Sequence, residues 1–311
     1  MGDYALALVA DESYLDYTKQ VFVAARRQGC WSEDLLLIAH EISQDKLEWF
    51  IDQGVIVHHA QPIIFSKPQE NKAATWPLVV YAKLNLFHPE FSRWKKIIYL
   101  DTDVLIRKDI RGLLEFNHFA AARESLNAPL EFQFVPDEVY LSAQHKKLVK
   151  NLGVDLGAPS FNVGVMLIAS QTNTPQQFEA LCELANRMHG LAYFPEQAVL
   201  NVFFQRRWAV LPYAYNDLFV HDWFVPRKND HDSVILHLVG KPKPWESTSP
   251  YHTEWLANFR RANDLSTLKP IGVRPTQLEI ANLDARVQWW IWLGKLGLMW
   301  WRLRRYFVGN K

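Results

Sequence analysis

Short, unbroken apolar runs alternate along this chain with stretches whose apolar positions recur at helical spacing. Residues 4–10 (YALALVA), 34–38 (DLLLI), 55–58 (VIVH), 97–100 (IIYL), 163–168 (VGVMLI) and 234–239 (VILHLV) read as strands. Helical patterns follow Asp11-Glu12-Ser13 as far as Arg27, fill 43–52, run over 76–88 until Pro89 stops them, and return at 175–188 and 196–204. Strands that are apolar throughout, rather than alternately apolar and polar, are covered on both faces. Their alternation with helices predicts an α/β protein with a mostly parallel central sheet and flanking helices. Such sheets bind ligands beyond the carboxyl ends of their strands. The pattern divides the chain into a domain over 1–264, a linker over 265–285 carrying Pro270, Gly272 and Pro275, and a C-terminal helix over 286–311.

That last segment changes the picture. Five tryptophans lie between Trp289 and Trp301, interleaved with Arg286, Lys295, Arg302, Arg304, Arg305 and Lys311, and no acidic residue follows Asp284. Trp favours the membrane interface, and Lys and Arg are drawn to anionic lipid. The apolar stretch from Trp289 to Trp301 covers 13 residues; at ~1.5 Å per residue it is shorter than the ~30 Å hydrocarbon layer. It is expected to lie in an anionic membrane surface rather than cross it, the alternative being a helix packed on protein. The remainder of the composition is that of a globular protein, 49% hydrophobic and 22% charged. With 34 basic and 33 acidic residues the chain is not built as a general nucleic-acid binder. Two cysteines, Cys30 and Cys182, imply no disulfide framework, and the start MGDYALALVADES lacks the basic opening of a signal peptide. The location expected is cytoplasmic, peripheral at the membrane.

The candidate chemistry begins at the end of the 97–100 strand, with Asp101-Thr102-Asp103. Side chains two apart in an extended chain point the same way, so both carboxylates can face one point. Like charges held that close call for a cation, and hard oxygen ligands favour Mg²⁺ or Mn²⁺. An isolated D-x-D is also an ordinary solvated turn. A phosphatase of the haloacid-dehalogenase kind, with Asp101 as nucleophile, fits the same segment; its second acidic pair would have to be Asp230 and Asp232, which precede a strand instead of following one. The segment His237-Leu238-Val239-Gly240-Lys241-Pro242-Lys243-Pro244-Trp245 adds an imidazole as a third metal ligand, a glycine that admits close approach, and a lysine in a proline-stiffened loop. Nitrogen beside two carboxylates suits Mn²⁺ slightly better than Mg²⁺. Gly240 and Lys243 suit a diphosphate.

Five segments in order complete a recognisable pattern: Asp11-Glu12-Ser13-Tyr14 after the opening strand; Tyr81-Ala82-Lys83-Leu84 leading to Asp101-Thr102-Asp103; Phe161-Asn162-Val163-Gly164-Val165-Met166; Glu196-Gln197-Ala198-Val199-Leu200-Asn201; and His237 to Trp245. From about Tyr4 to about Arg261 the chain resembles glycosyltransferase family 8, the glycogenin and bacterial lipopolysaccharide galactosyltransferase group. The resemblance implies a GT-A-type fold and a retaining transfer of a hexosyl group from a UDP-sugar held by Mn²⁺, with Mg²⁺ the alternative. By match, Asp101, Asp103 and His237 are metal ligands. Gly240 and Lys243 contact the diphosphate, Asp11 and Tyr14 the nucleobase, and Lys83 the donor. Asn162, Glu196 and Gln197 surround the transferred sugar, with Gln197 expected at the anomeric carbon. The family usually has Asp where this chain has Glu196, which bears on the donor. The acceptor, a glycan, lipid or protein, is not identified. The phosphatase reading ranks second, beside a catalytically inactive nucleotide-sugar-binding scaffold at the membrane.

Overall fold

A computed structural model of the protein describes residues 2–65, 76–134, 149–219 and 233–308, with side chains to 296 and at Met299. The elements that position the site are the strands β1 (Tyr4–Ala10), β2 (Asp34–Ala39), β3 (Ile56–His59), β4 (Lys96–Leu100), β5 (Val104–Ile106), β6 (Ala120–Arg123), β7 (Phe161–Ala169), β8 (Ala209–Val210), β9 (Asp217–Leu218) and β10 (Ile235–His237). The helices are α1 (Leu15–Arg27), α2 (Gln44–Asp52), α3 (Val79–Ala82), α4 (Pro175–Met188), α5 (Pro195–Phe203), α6 (His252–Phe259) and α7 (Gln277–Val308).

Seven strands form the main sheet in the order β3-β2-β1-β4-β7-β6-β8. β1 pairs in parallel with β2 and β4, and β7 alone runs antiparallel to its neighbours β4 and β6. The unbroken apolar runs have the expected cause: alternate residues of one strand enter different cores. Leu6 and Leu8 of β1 join Ile98 and Leu100 of β4 beneath α1 and α2. Ala5 and Ala7 join Ile97 and Tyr99 on the other face, against α4 and α5. A second sheet, β5-β10-β9, starts just past the carboxyl end of β4, the middle strand of the main sheet, with β10 antiparallel to β5. The strand expected over 234–239 is thus a three-residue strand of the smaller sheet.

Two expectations shift for local reasons. The helix expected over 76–88 is one α turn, α3, continued as 3₁₀ turns over Lys83–Phe87, every residue of which is buried. A segment buried on all sides cannot settle as a half-exposed amphipathic helix. Asn85 spends both ends of its amide on the backbone of Gln61. At the C-terminus the linker expected over 265–285 is shorter, because α7 starts at Gln277. Thr276 and Glu279 form a reciprocal capping pair: the Thr276 N–H donates to Glu279 at 2.7 Å, and the Glu279 N–H donates to the Thr276 hydroxyl at 3.2 Å. Nor does this helix start away from the core. Ile280, Leu283, Val287 and Ile291 are buried in the α1 side of the core. The chain before α7 is tied down as well, with the N–H groups of Ile271 and Gly272 donating to the Arg27 carbonyl. The side chains of Trp300, Trp301, Arg302, Arg304, Arg305, Tyr306 and Phe307, together with Lys311, Asp230 and Asp232, lie outside the described residues.

If the first half of α7 belongs to the core, Leu283→Ala lowers unfolding free energy by about 2–5 kcal/mol. Urea denaturation of the full chain checks this, and an unchanged midpoint would show the helix to be an appendage.

Candidate active site

The turn after β4 builds the centre. Asp101, Thr102 and Asp103 are not part of an extended run; they turn the chain from β4 of the main sheet into β5 of the small one. The two carboxylates therefore converge through the turn and not through strand alternation. Backbone pairing fixes it from both sides: the Asp101 N–H donates to the Gly164 carbonyl at 2.8 Å, and the Leu238 N–H to the Asp103 carbonyl at 3.0 Å. The antiparallel register sets His237 opposite Val104, next to Asp103. His237 Nε2 lies 3.1 Å from Asp103 Oδ1 and 3.8 Å from Asp101 Oδ2. Single ligand atoms from Asp101, Asp103 and His237 all lie within 4.8 Å of one another, the one such group among the described residues. Two carboxylates and an imidazole suit a divalent ion of the Mn²⁺ or Mg²⁺ kind.

Glycine makes room for this. His237 lies so close to Gly164 of β7 that a Cβ there would stand 2.0 Å from the ring Cε1 and 2.6 Å from Nδ1. Only a residue without a side chain lets the imidazole lie against β7.

Two lysines balance the carboxylates. Lys243 Nζ is 2.5 Å from Asp103 Oδ2 and also donates to the Leu238 carbonyl. Its loop leaves β10 through Gly240, whose φ of +87° is open to glycine at little cost. Lys83 lies 3.1 Å from Asp101 Oδ1 and 3.4 Å from Glu196 Oε1, bridging a metal-type carboxylate to the start of α5. Tyr99 donates its hydroxyl to the same Asp101 oxygen, and its ring lies 5.1 Å from Lys83 Nζ. Burial by itself would raise the Asp103 carboxyl, but His237 and Lys243 outweigh it and hold Asp103 well below the usual carboxylate range. Glu196 goes the other way: burial raises it, and neighbouring Asp101 adds to the rise against the opposition of Lys83. Burial would lower both lysines, yet Asp101 and Glu196 raise Lys83, and Asp103 raises Lys243, so both stay charged.

Beside Lys243 stands a cluster of aromatic rings. Tyr17 stacks on Trp245 with centroids 4.1 Å apart, and Tyr14 meets Trp245 edge-on at 5.8 Å. Asp11 closes the turn before α1, accepting from the Ser13 N–H, the Ser13 hydroxyl and the Tyr14 N–H. Tyr14 remains 40% exposed, leaving a ring available to a flat ligand.

Behind the carboxylates lies a buried amide network. Gln197 Oε1 accepts from the Val163 N–H (3.0 Å) and from Asn162 (3.3 Å), while its amide nitrogen donates to Glu124 and Gln133, each at 2.7 Å. Every hydrogen-bonding capacity of this amide is used. In this arrangement Gln197 anchors α5 to β7.

The structure thus brings Asp101, Asp103, His237, Lys243, Lys83 and Glu196 together, places Asn162 and Gln197 behind them, and sets Asp11, Tyr14 and Gly240 at the rim. Glu124, Gln133, Asn216, Tyr17 and Tyr99 were not singled out in the sequence. Glu124 directly follows β6 as Asp101 follows β4, so the same signal, a carboxylate at the end of an apolar strand, would have found it. Asn216 follows no periodic pattern.

A model of the family "Glycosyl transferase family 8" matches residues 6–249. Galactinol synthase 5 of Arabidopsis thaliana is 24% identical over 213 residues, 66% of this chain and 62% of that protein. Lipopolysaccharide 1,2-glucosyltransferase of Escherichia coli is 26% identical over 200 residues, 59% of this chain and 53% of that protein. The chain therefore spans less than two thirds of either relative. Among solved structures, galactosyltransferase LgtC in complex with donor and acceptor sugar analogues superposes with a TM-score of 0.60 at 17% identity, covering 85% of this chain and 97% of that one. The glycosyltransferase GlyE of Streptococcus pneumoniae TIGR4 gives a TM-score of 0.57 at 18% identity, covering 84% of this chain and 63% of that one. These neighbours share the GT-A fold.

Gly164→Ala is expected to push the His237 ring off β7 and weaken Mn²⁺ binding by about 10-fold or more while the fold persists. Electron paramagnetic resonance of Mn²⁺ beside circular dichroism measures both, and unaltered binding would refute the close packing.

Proposed function

The chain belongs to glycosyl transferase family 8, and on that premise we propose that it is a retaining glycosyltransferase moving a hexosyl group from a UDP-sugar to an acceptor hydroxyl. The observation that carries this reading is Asp103 shared between His237 and Lys243, because one point then holds both a metal-ligand set and a cation for phosphate. Breaking the bond between an anomeric carbon and a diphosphate oxygen leaves negative charge on the diphosphate. Asp101, Asp103 and His237 would hold a divalent ion, preferably Mn²⁺, which would supply positive charge to that leaving group. Lys243 adds a second cation, and the backbone at Gly240 admits the phosphates.

The other residues orient the donor. Tyr14 and Asp11, beside Trp245, take the nucleobase. Lys83, held between Asp101 and Glu196, spans the boundary between the metal site and the sugar, and Asn162 lines the same floor. Glu196 accepts from sugar hydroxyls; its extra methylene relative to the family's usual Asp selects the donor. Gln197 works indirectly, fixing Asn162 and the start of α5. The acceptor oxygen attacks the anomeric carbon on the face the diphosphate leaves, and its proton passes to the departing phosphate oxygen. The phosphatase alternative is not favoured, because a strand-borne His237 and Lys243 converging on the acidic pair is what a diphosphate donor needs.

The acceptor side involves α7. Its outer face carries exposed Leu278, Trp289, Trp292 and Met299, opposite the buried stripe Ile280, Leu283, Val287 and Ile291. The rings of Trp289 and Trp292 stack at 5.1 Å, with the exposed Arg286 and Lys295 nearby. No described helix is long and apolar enough to cross a membrane. This face rests on an anionic membrane surface, which makes a lipid-linked or membrane-held glycan the acceptor.

With Mn²⁺ and a panel of UDP- and GDP-sugars, the full chain is expected to hydrolyse one UDP-sugar slowly to UDP, and Asp103→Ala to lower that rate about 100-fold or more. Wild-type turnover by Asp103→Ala in the presence of EDTA would remove the assignment. Removing α7 would open the core, so the membrane contact is tested by Trp289→Ser with Trp292→Ser. The wild-type chain should float with anionic liposomes and the double variant should not; equal flotation, or none by either, counts against it.

A further inference from the structure

His237 has two ring nitrogens, and a metal can use only the one that carries no proton. We propose that Asn216 is the positioning residue that decides which: it holds the proton of His237 on Nδ1 and turns the lone pair of Nε2 toward Asp101 and Asp103. The inference rests on the metal-site reading above and adds to it a residue from a different part of the chain, between β8 and β10.

The argument starts at a backbone group whose polarity is not adjustable. The Gly164 N–H can only donate, and it lies 2.9 Å from Asn162 Oδ1. That oxygen also accepts from Asn216 Nδ2 at 2.9 Å. With its nitrogen committed there, Asn216 presents its oxygen to His237 Nδ1, at 2.9 Å. A carbonyl oxygen only accepts, so Nδ1 must carry the hydrogen. A second backbone group gives the same orientation independently. The Val163 N–H donates to Gln197 Oε1, and Asn162 Nδ2 donates to that same oxygen. Asn162 therefore has its nitrogen toward Gln197 and its oxygen toward Asn216, as the first route requires. Reversing any one amide would set donor against donor or acceptor against acceptor.

Burial makes this order costly to break. Asn216 is 0% exposed, His237 2% and Asn162 7%, so solvent is not at hand to replace a lost partner, and an unpaired polar group here is penalised. The ring cannot tilt toward β7, because it already fills the space a side chain at residue 164 would occupy. On its other edge Nε2 faces carboxylate oxygens at 3.1 and 3.8 Å, a position for a proton handed to Asp103 or for a metal ion in its place. Lone pairs arranged that way repel unless a cation lies among them. The amide network thus prepares one coordination position and leaves its charge to be completed.

The test uses the full chain and metal ions alone. The wild-type protein should bind Mn²⁺, read by electron paramagnetic resonance. Loaded with Co²⁺, it should show a hyperfine-shifted ring N–H signal that vanishes only slowly in D₂O, the signature of a buried Nδ1–H. Asn216→Leu keeps the volume and removes the acceptor. It should weaken Mn²⁺ about 10–100-fold and make that N–H signal exchange rapidly or disappear. In a His237→Ala background the same substitution should cost no further affinity, because the ring it positions is gone. An equal loss in both backgrounds would mean general loosening, and wild-type affinity with a slowly exchanging signal in Asn216→Leu would mean no role; either overturns the inference and leaves the metal site standing. A wild-type chain that binds neither ion removes both. Should Asn216→Leu fail to fold by circular dichroism, Asn216→Ala, which only deletes atoms, runs the same cycle with the same criteria.

Discussion

The Asp103 carboxylate sits between the His237 ring and the Lys243 ammonium, and the surrounding fold exists in the form that permits it. A buried carboxylate is costly unless its charge is met at close range. Here the two partners come from one strand and the loop after it, while the carboxylate comes from the turn that joins the two sheets. The small sheet is the means: antiparallel pairing of β5 with β10 sets residue 237 beside residue 104, so the distance between imidazole and carboxylate follows from backbone register. Gly164 then completes the fit from the main sheet, by having no side chain where the ring must lie.

Charge at the centre is arranged as a row. Glu196, Lys83, Asp101, His237, Asp103 and Lys243 alternate in contact along the site, interrupted only where two carboxylates share one imidazole. That interruption is where a divalent cation has the most to gain. Tyr99 stays a neutral donor to Asp101, its hydroxyl raised well above the ordinary phenol range chiefly by burial. The row also explains how a buried lysine such as Lys83 keeps its charge, since carboxylates on both sides outweigh the desolvation that opposes it.

The amide network extends this order away from the metal. From His237 it runs through Asn216 and Asn162 to Gln197, and from Gln197 to Glu124 after β6. The loop beyond Glu124 bends through two left-handed residues, Leu126 and Asn127. Asn127 accepts from the Tyr213 hydroxyl, and the Tyr213 N–H donates to Asp284 of α7. The C-terminal helix is thus continuous, by hydrogen bonds, with the loop that orients Gln197. A helix read as a surface anchor is also a wall of the domain, buried on one side and aromatic on the other.

Some of this is settled by local sequence. Strands apolar at every position, such as Tyr4–Ala10 and Ile97–Leu100, can only belong to a sheet covered on both faces, and the residues of Asp101-Thr102-Asp103 and of His237 to Lys243 carry their chemistry wherever they lie. The capping pair Thr276 and Glu279 is equally legible as a helix start, although Pro270, Gly272 and Pro275 just before it read as a linker. Other features have no local signature. That the two aspartates meet through a turn, that β7 runs against its neighbours, and that Gln197 spends its amide on Glu124 and Gln133 depend on pairing between segments 60 or more residues apart. Asn216 shows the division most clearly: its sequence surroundings, Tyr215 and Asp217, say nothing of a histidine 21 residues on. Side-chain type is written in the sequence, but the direction of a hydrogen bond is decided by which backbone N–H the fold places at the end of the chain of amides.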